Sequence, residues 1–599
     1  MTALAGGIWS PDDKPLTEAV ARSMHAAMPY RGGDDVAIRR EDVSFGHAHQ
    51  PTPGALLSAS NSACHGKQKV GETREQTVWA VVDGRIDNAQ AVRLRLEAAG
   101  YSIGSSEPAE VVAALYETEG VESFSRLRGA FAIAIWDGER RELTLARDPS
   151  GQHPMYYERR AGRMVFCSEL RGLRHALSAK PTLSATALDE YLTYGYVPPP
   201  HTLLQGVSKV PPGTWVRLKD GRLDSGRFDP LDLQYVLPGN RVDQHVPGDF
   251  FGDHTGKSGG VLLELVQDAL EASVPAAPGY LVAPHADASD RPWQIVSVAT
   301  QIRQIENGDA QASAGDAQDG EFDWLDFWSA CDEPIADASV ASILAAAKVA
   351  NAAKIPLVTT YGGHELLACY RRHKQLVTFA DKIPGWLNKF MGSDPRSMEE
   401  QAAEVRQRQR EYLKCVHVFG ETDRANLYSA EHLGSLADAD PEDFLHLAFD
   451  RVGKREPISR AALVDWQTYV PNAQVATADW AANRFNCEVF HPFLDEDVSR
   501  LLAAANDTLR KALRESIWPT RPQAGNRHSR CLELDDVPLA SLDAILNDER
   551  FLSRGYLDEG YGQMLIAYTA GGQPKADLHR QAFALAGLEV WLREILDES

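Results

Sequence analysis

Between 219 and 259 the chain fills with Asp, Gly and Pro and loses its hydrophobic periodicity, so the residues on either side must each build their own core. At 599 residues such a division is required in any case, because a single core stops growing at roughly 250–300 residues. The two sides read differently. From 4 to about 218, short apolar strands alternate with Gly, Asp and Pro turns, and helical stretches stand near 16–28 and 109–119. The apolar runs 131–136 and 142–146 flank Asp137 and Gly138, which predicts a hairpin.

After the break, 261–272 reads as an amphipathic helix, and 279–283 and 294–299 as buried strands. The small, polar, acidic stretch 306–321 reads as a mobile loop. Beyond Ser339 the pattern is mostly helical, ending in apolar positions at helical spacing over 585–596. The expected division is therefore a first domain at 1–218, a linker at 219–258 and an α/β second domain at 259–599.

Apolar residues make up 44% and charged residues 24% of the chain, ordinary globular values that rule out disorder throughout. Lys and Arg number 61 against 84 Asp and Glu, and the net charge of −23 opposes nonspecific binding to nucleic acid or an anionic membrane. The seven cysteines, at 64, 167, 331, 369, 415, 487 and 531, are odd in number and never spaced C-x-x-C, which fits a reducing cytoplasm. The start carries no basic n-region, so it reads as a first strand and not as a secretory signal. The apolar stretch 340–358 is broken by Lys348, Asn351 and Lys354, which opposes a bilayer-spanning helix.

The runs Leu127–Asp137 (LRGAFAIAIWD), Leu145–Tyr157 (LARDPSGQHPMYY) and Phe166–Glu169 (FCSE) resemble the asparagine synthetase B family. So do, in the same order, Tyr191–Pro199, Val210–Gly213, Asp332–Asp337 (DEPIAD) and His491–Asp495 (HPFLD). The resemblance covers nearly the whole chain. It implies an N-terminal glutaminase-like sandwich of the N-terminal-nucleophile fold, followed by an adenine-nucleotide α-hydrolase-like synthetase domain with a largely helical C-terminal part.

In that family the first domain uses an N-terminal cysteine, whose thiolate attacks glutamine while its own α-amine serves as base. Here Thr2 follows Met1, and threonine is an N-terminal nucleophile in other enzymes. The family's arginine of G-H-x-R falls at His49, its N-G-E reads Asp83-Gly84-Arg85, and its S-D-T-E reads Glu107-Pro108-Ala109-Glu110. A bound glutamine needs an anion for its ammonium and a cation for its carboxylate, yet the Asp has become Pro108 and the Glu has become Arg85. The expectation is an inactive glutaminase kept as architecture, with Arg31, which matches the arginine of H-R-G-P-D, as a structural residue.

The second domain of the family forms an acyl-adenylate with ATP and Mg2+, on a loop S-G-G-x-D-S whose backbone N–H groups hold the pyrophosphate. Aligned after the strand at 280–282, this chain keeps Asp287 and Ser289 but places Pro284 and His285 where the glycines stand. Proline has no N–H to donate, and histidine lacks the glycine's access to positive φ. The family's G-x-G-x-D-E reads Thr360-Tyr-Gly-Gly-His-Glu365, keeping Gly362, Gly363 and Glu365 and losing acidic oxygens of the kind magnesium prefers. Asp287 and Glu365 remain as possible magnesium ligands. Arg530, in Arg527-His-Ser-Arg530, stands where R-x-x-K places a lysine that stabilises transition-state charge.

Other motifs fall short. Gly252 with Gly256, Lys257 and Ser258 is one residue short of a phosphate loop, and Ala368 stands where H-E-x-x-H after His364 needs its second histidine. Ser258-Gly-Gly260 lacks the following Asp and Ser of a displaced synthetase loop, and His47 with His49 lacks a third metal ligand. The basic run Tyr370-Arg-Arg-His-Lys374 reads as a solvated helix face, and Trp136, Trp324, Trp328 and Trp480 read as core.

Three functions are therefore weighed. One is a noncatalytic or regulatory scaffold whose partner is a catalytic homologue or a peptide. Another is a divergent ATP-dependent ligase of the lasso-peptide macrocyclase or β-lactam synthetase type, with Asp287, Ser289, Glu365 and Arg530 as its site. The last is a glutamine-hydrolysing asparagine synthase, which both altered sites oppose.

Overall fold

The computed structural model describes residues 2–31, 36–42, 44–45, 51–60, 71–73, 77–104, 107–228, 281–282, 323–354, 356–376, 398–436, 440–453, 457–504, 510, 537–571 and 576–597. Two antiparallel six-stranded sheets organise the first half. One runs in the order Val207–Lys209, Tyr156–Arg160, Arg163–Cys167, Leu4–Trp9, Gly54–Ser60, Val36–Glu41. The other runs Arg222–Arg227, Thr214–Lys219, Glu142–Arg147, Phe131–Asp137, Val78–Gly84, Gly71–Glu72.

The alternation of one strand shows how they stack. From Phe131–Asp137, Ala132, Ala134 and Trp136 join Leu4, Ile8, Leu57 and Phe166 in a core between the sheets. Phe131, Ile133 and Ile135 point the other way, into a core with Val111, Val112 and Leu115 of helix Pro108–Glu119. Both faces are covered, which is why this strand reads as an unbroken apolar run. The far face of the first sheet sends Ala5, Trp9, Leu56 and Tyr156 into a third core, shared with helices Glu18–Ala26 and Ala185–Tyr194 and with the second half of the chain. The layers are thus helix, sheet, sheet, helix.

The hairpin expected around Asp137 and Gly138 forms, with Asp137 opposite Glu142 and Ala132 opposite Arg147. The linker, however, does not begin at 219. Arg222–Arg227 pairs antiparallel with Thr214–Lys219 along its whole length and closes the sheet's edge. That strand is polar and mostly exposed, as an edge strand tolerates, and so carries no apolar signature.

In the second half, Leu281–Val282, Leu357–Val358 and Val489–Phe490 form a parallel sheet in that order. Helix Ser342–Ala353 leads into the middle strand. Helix Pro457–Tyr469 passes through a wider turn at Val470–Gln474 into helix Val475–Arg484, and Pro471, with no N–H to give, sits in the widened turn. The final helix, Ala576–Trp591, ties back to earlier segments: Tyr191 donates its hydroxyl to the Ala584 carbonyl at 2.7 Å, and Trp591 its indole N–H to the Asp332 carbonyl at 2.7 Å. The expected helix at 261–272, the strand at 294–299 and the acidic loop at 306–321 lie outside the described residues. Among the described residues, no helix is long and apolar enough to cross a membrane.

Candidate functional site

Two places collect the residues singled out by sequence. The first lies at the edge of the sheet pair. Thr2 is buried just before strand Leu4–Trp9, and its backbone N–H donates to Asp83 Oδ1 at 3.0 Å. Asp83 is the next-to-last residue of strand Val78–Gly84 in the other sheet, and its Oδ2 accepts from Arg31 Nη1 at 2.9 Å. Arg31 donates from Nε to Glu169 Oε1 at 2.7 Å and from Nη2 to Asp479 on helix Val475–Arg484 of the second half. His153 closes the group, with Nδ1 3.3 Å from Asp479 Oδ1 and 3.6 Å from Asp83 Oδ2.

Burial works against the charge on Arg31, but Asp479, Glu169 and Asp83 outweigh it and hold its pKa above the ordinary arginine value. Burial likewise opposes a charged His153, and Asp83 and Asp479 raise it all the same. The imidazole also packs on backbone: a Cβ added to Gly84, whose φ is +98°, would lie 2.6 Å from the His153 ring and 2.1 Å from the Ala130 carbonyl. Arg85 turns away, pairing with Asp87 at 2.9 Å and lying 4.7 Å above the Phe490 ring. Pro108 opens helix Pro108–Glu119, where a missing N–H is harmless. Thr2, Arg31 and Asp83 are therefore brought together, Arg85 and Pro108 are not, and His49 lies outside the described residues.

The second place is the crevice at the carboxyl ends of the parallel strands, where open α/β sheets hold ligands. After Leu357–Val358 the chain makes the turn Thr359–Gly363 and enters a short helix, Gly363–Leu366. Thr359 Oγ1 and His491 Nδ1 share a hydrogen bond of 2.6 Å, and the Tyr361 and His491 rings stack with centroids 6.0 Å apart. Burial, with Arg85 and His153 nearby, lowers the His491 pKa to about 3, so the ring is neutral.

Gly362 has φ of +83°, and a Cβ there would lie 2.6 Å from Leu494 Cδ2 and 3.1 Å from Trp466 Nε1. A Cβ on Gly363 would meet the Phe493 ring at 3.0 Å. The segment His491–Asp495 is thus folded over both glycines. Glu365 is buried below them, its Oε1 accepting from Tyr370 Oη at 2.8 Å and Gln474 Nε2 at 3.1 Å. Its Oε2 and the Thr360 hydroxyl are buried with no hydrogen-bond partner among the described residues. Burial raises the Glu365 pKa to about 7, against the pull of the Tyr370 hydroxyl.

Of the groups a magnesium nucleotide needs, the described residues supply one open carboxylate oxygen, on Glu365, while Leu494, Trp466 and Phe493 occupy one face of the glycine pair. No group of three His, Cys, Asp or Glu among the described residues is arranged to hold a metal ion. Asp287, Ser289 and Arg530 lie outside the described residues. Between the halves, near both places, runs a cleft of about 530 Å³ lined by Arg85, Arg128, Phe490, His491 and Asp495 among others.

Sequence reasoning missed Asp479, which sits in no motif, and it misread the basic run after Tyr370. Arg372 and His373 turn inward: both donate to Asp465 Oδ2 at 2.7 Å, Arg372 is partly buried and His373 is fully buried. A buried carboxylate on helix Pro457–Tyr469 draws the cations inward, and no local pattern announces it.

Comparison with known proteins agrees with this layout. Residues 1–229 match a family model described as a glutamine amidotransferase domain, and residues 308–593 match one described as asparagine synthase. Asparagine synthetase (glutamine-hydrolyzing) 1 of Bacillus subtilis (strain 168) is 32% identical over 198 residues, covering 33% of this chain and 30% of that protein. A putative asparagine synthetase (glutamine-hydrolyzing) of Mycobacterium tuberculosis (strain ATCC 25618 / H37Rv) is 27% identical over 256 residues, covering 39% of this chain and 36% of that protein. Each alignment spans about a third of the relative's length. A solved structure, the allosteric regulatory enzyme of purine biosynthesis, shares 17% identity over 51% of this chain and 63% of that one, with a TM-score of 0.28.

Proposed function

The chain belongs to the asparagine synthetase family, joining a glutamine amidotransferase domain to a synthetase domain, and we propose that it uses this scaffold as a noncatalytic or regulatory partner. The observation that carries this reading is the packing over the strand-end turn. Leu494, Trp466 and Phe493 lie on Gly362 and Gly363, so one face of the backbone that could approach a phosphate is covered by the protein itself. The first domain adds support, because Arg31 has a carboxylate on each of its three nitrogens, so its charge is already met within the protein. On this reading the chain binds a catalytic homologue or a peptide.

A second reading is favoured by Glu365. A buried carboxyl with one open oxygen and a pKa near 7 is the kind of group that chemistry exploits. An ATP-dependent amide-forming ligase would use it with Asp287, Ser289 and Arg530, with ATP and Mg2+ bound. Isothermal calorimetry with Mg-ATP separates the two. The proposal expects no heat from the wild type and a gain of binding when Pro284 and His285 are both changed to glycine. Tight wild-type binding abolished by Asp287→Ala would overturn it in favour of the ligase.

A further inference from the structure

A second cavity, of about 350 Å³, lies among the helices of the second half and reaches the turn after helix Ala185–Tyr194 of the first. Its size falls within the roughly 300–1,000 Å³ of small-ligand pockets. Asp465 and Arg372 form its charged wall. Asp465 is saturated: Oδ2 accepts from Arg372 Nε and His373 Nε2, and Oδ1 accepts from the Tyr412 hydroxyl.

Arg372 is not. Its guanidinium lies 3.9 Å over the Tyr370 ring and 5.7 Å from that of Tyr469, and Nε is fixed on Asp465, yet Nη1 and Nη2 have no acceptor among the described residues. The side chain keeps 23% of its surface accessible, although Tyr370, Tyr469 and Asp465 pack around it, and it lines the cavity. A second cation, Arg580, lines it too: its Nη2 lies 3.8 Å from Asp577 Oδ1, and its buried Nε has no hydrogen-bond partner among the described residues. The other carboxylate on the wall, Asp337, already accepts from the Tyr469 hydroxyl. The unmet groups are therefore donors on cations, and apart from Thr468 and Cys415 the rest of the lining is aromatic and apolar.

We propose that this cavity is a binding site for an apolar carboxylate, with its two oxygens on the Nη edge of Arg372 and its body among Tyr194, Tyr196, Tyr412 and Tyr469. A guanidinium held by Nε and stacked on a ring presents two parallel N–H groups, the geometry that pairs with a carboxylate. The inference does not rest on the function proposed above. Asp465, Thr468 and Tyr469 line this cavity, whereas Trp466 on the same helix touches Gly362.

Such a carboxylate has two sources, a free small acid or the C-terminus of a peptide. The test titrates the full chain by calorimetry with phenylacetate and with a tripeptide ending in a free phenylalanine carboxylate. Phenylacetamide, the same tripeptide as its amide, and inorganic phosphate serve as comparison probes. Binding of phenylacetate supports a free-acid ligand, and binding of the tripeptide alone supports a chain terminus. Arg372→Lys, which keeps the charge and loses the fork, is expected to weaken binding at least tenfold. Val416→Trp, which fills the cavity and leaves Arg372 in place, is expected to abolish it, and decides the matter if Arg372→Lys fails to fold. Absence of binding by either carboxylate overturns the proposal. So does equal binding of an amide or of phosphate, or unchanged binding in the folded Val416→Trp chain.

Discussion

Two buried ionic clusters in this molecule use arginine in opposite ways. Arg31 has a carboxylate on each of its three nitrogens, while Arg372 shares one carboxylate with His373 and Tyr412 and keeps its Nη edge open. Arg31 is the one that sits in a family motif, and its charge is met by carboxylates on every side. Arg372 sits in a run that looks like surface, and it faces a cavity. Whether an arginine can bind something depends on how many acceptors the fold has already given it.

The comparison breaks most visibly at Arg31. Arg31→Met leaves Asp83, Glu169 and Asp479 buried without their cation, and the expected loss is about 3–5 kcal/mol by urea unfolding. A loss below about 1 kcal/mol would mean that the three acids take up protons at little cost and that the cluster is not ionic. Asp465→Asn keeps the shape but removes one charge, and should cost less, about 2–3 kcal/mol, while also loosening Arg372. Burial raises Asp465, but Arg372 and His373 pull it down to about 2, so this loss should persist at every pH above about 4.

Glu365→Gln sharpens the contrast by acting in the other direction. A carboxyl raised to about 7 in the fold stabilises the protein below its ordinary value of 4.5, and that contribution fades as pH rises towards 7. The variant should therefore match the wild type at about pH 4 and exceed it by about 1–3 kcal/mol at about pH 8, in paired thermal melts. Equal stability at both ends would place the Glu365 pKa near its ordinary value. The smallest effect belongs to Arg128, half-exposed and 3.6 Å from Glu496 and 3.4 Å from Asp497: Arg128→Ala should cost less than about 1 kcal/mol.

The longer strands of the first half were legible because they form apolar runs of several residues set off by turn residues, as Phe131–Asp137 does, whereas the polar edge strand Arg222–Arg227 was not. Leu357–Val358 and Val489–Phe490 were not, since two residues carry no period and both lie in a stretch dominated by helices. Among site residues, Thr2, Arg31 and Asp83 were found through motifs. Asp479 was invisible because its role depends on a contact far along the chain. Arg372 and His373 were misread because a charged run does not reveal which way a short helical turn will face.

The contact between Arg31 and Asp479 joins residues 448 positions apart. A ribosome adding about 5–20 residues per second would need roughly 20–90 seconds to make the second residue after the first. For all that time the first half must hold an arginine whose third acceptor does not yet exist. Its sheets can form, but the corner around Thr2, Arg31 and His153 stays unfinished until helix Val475–Arg484 arrives.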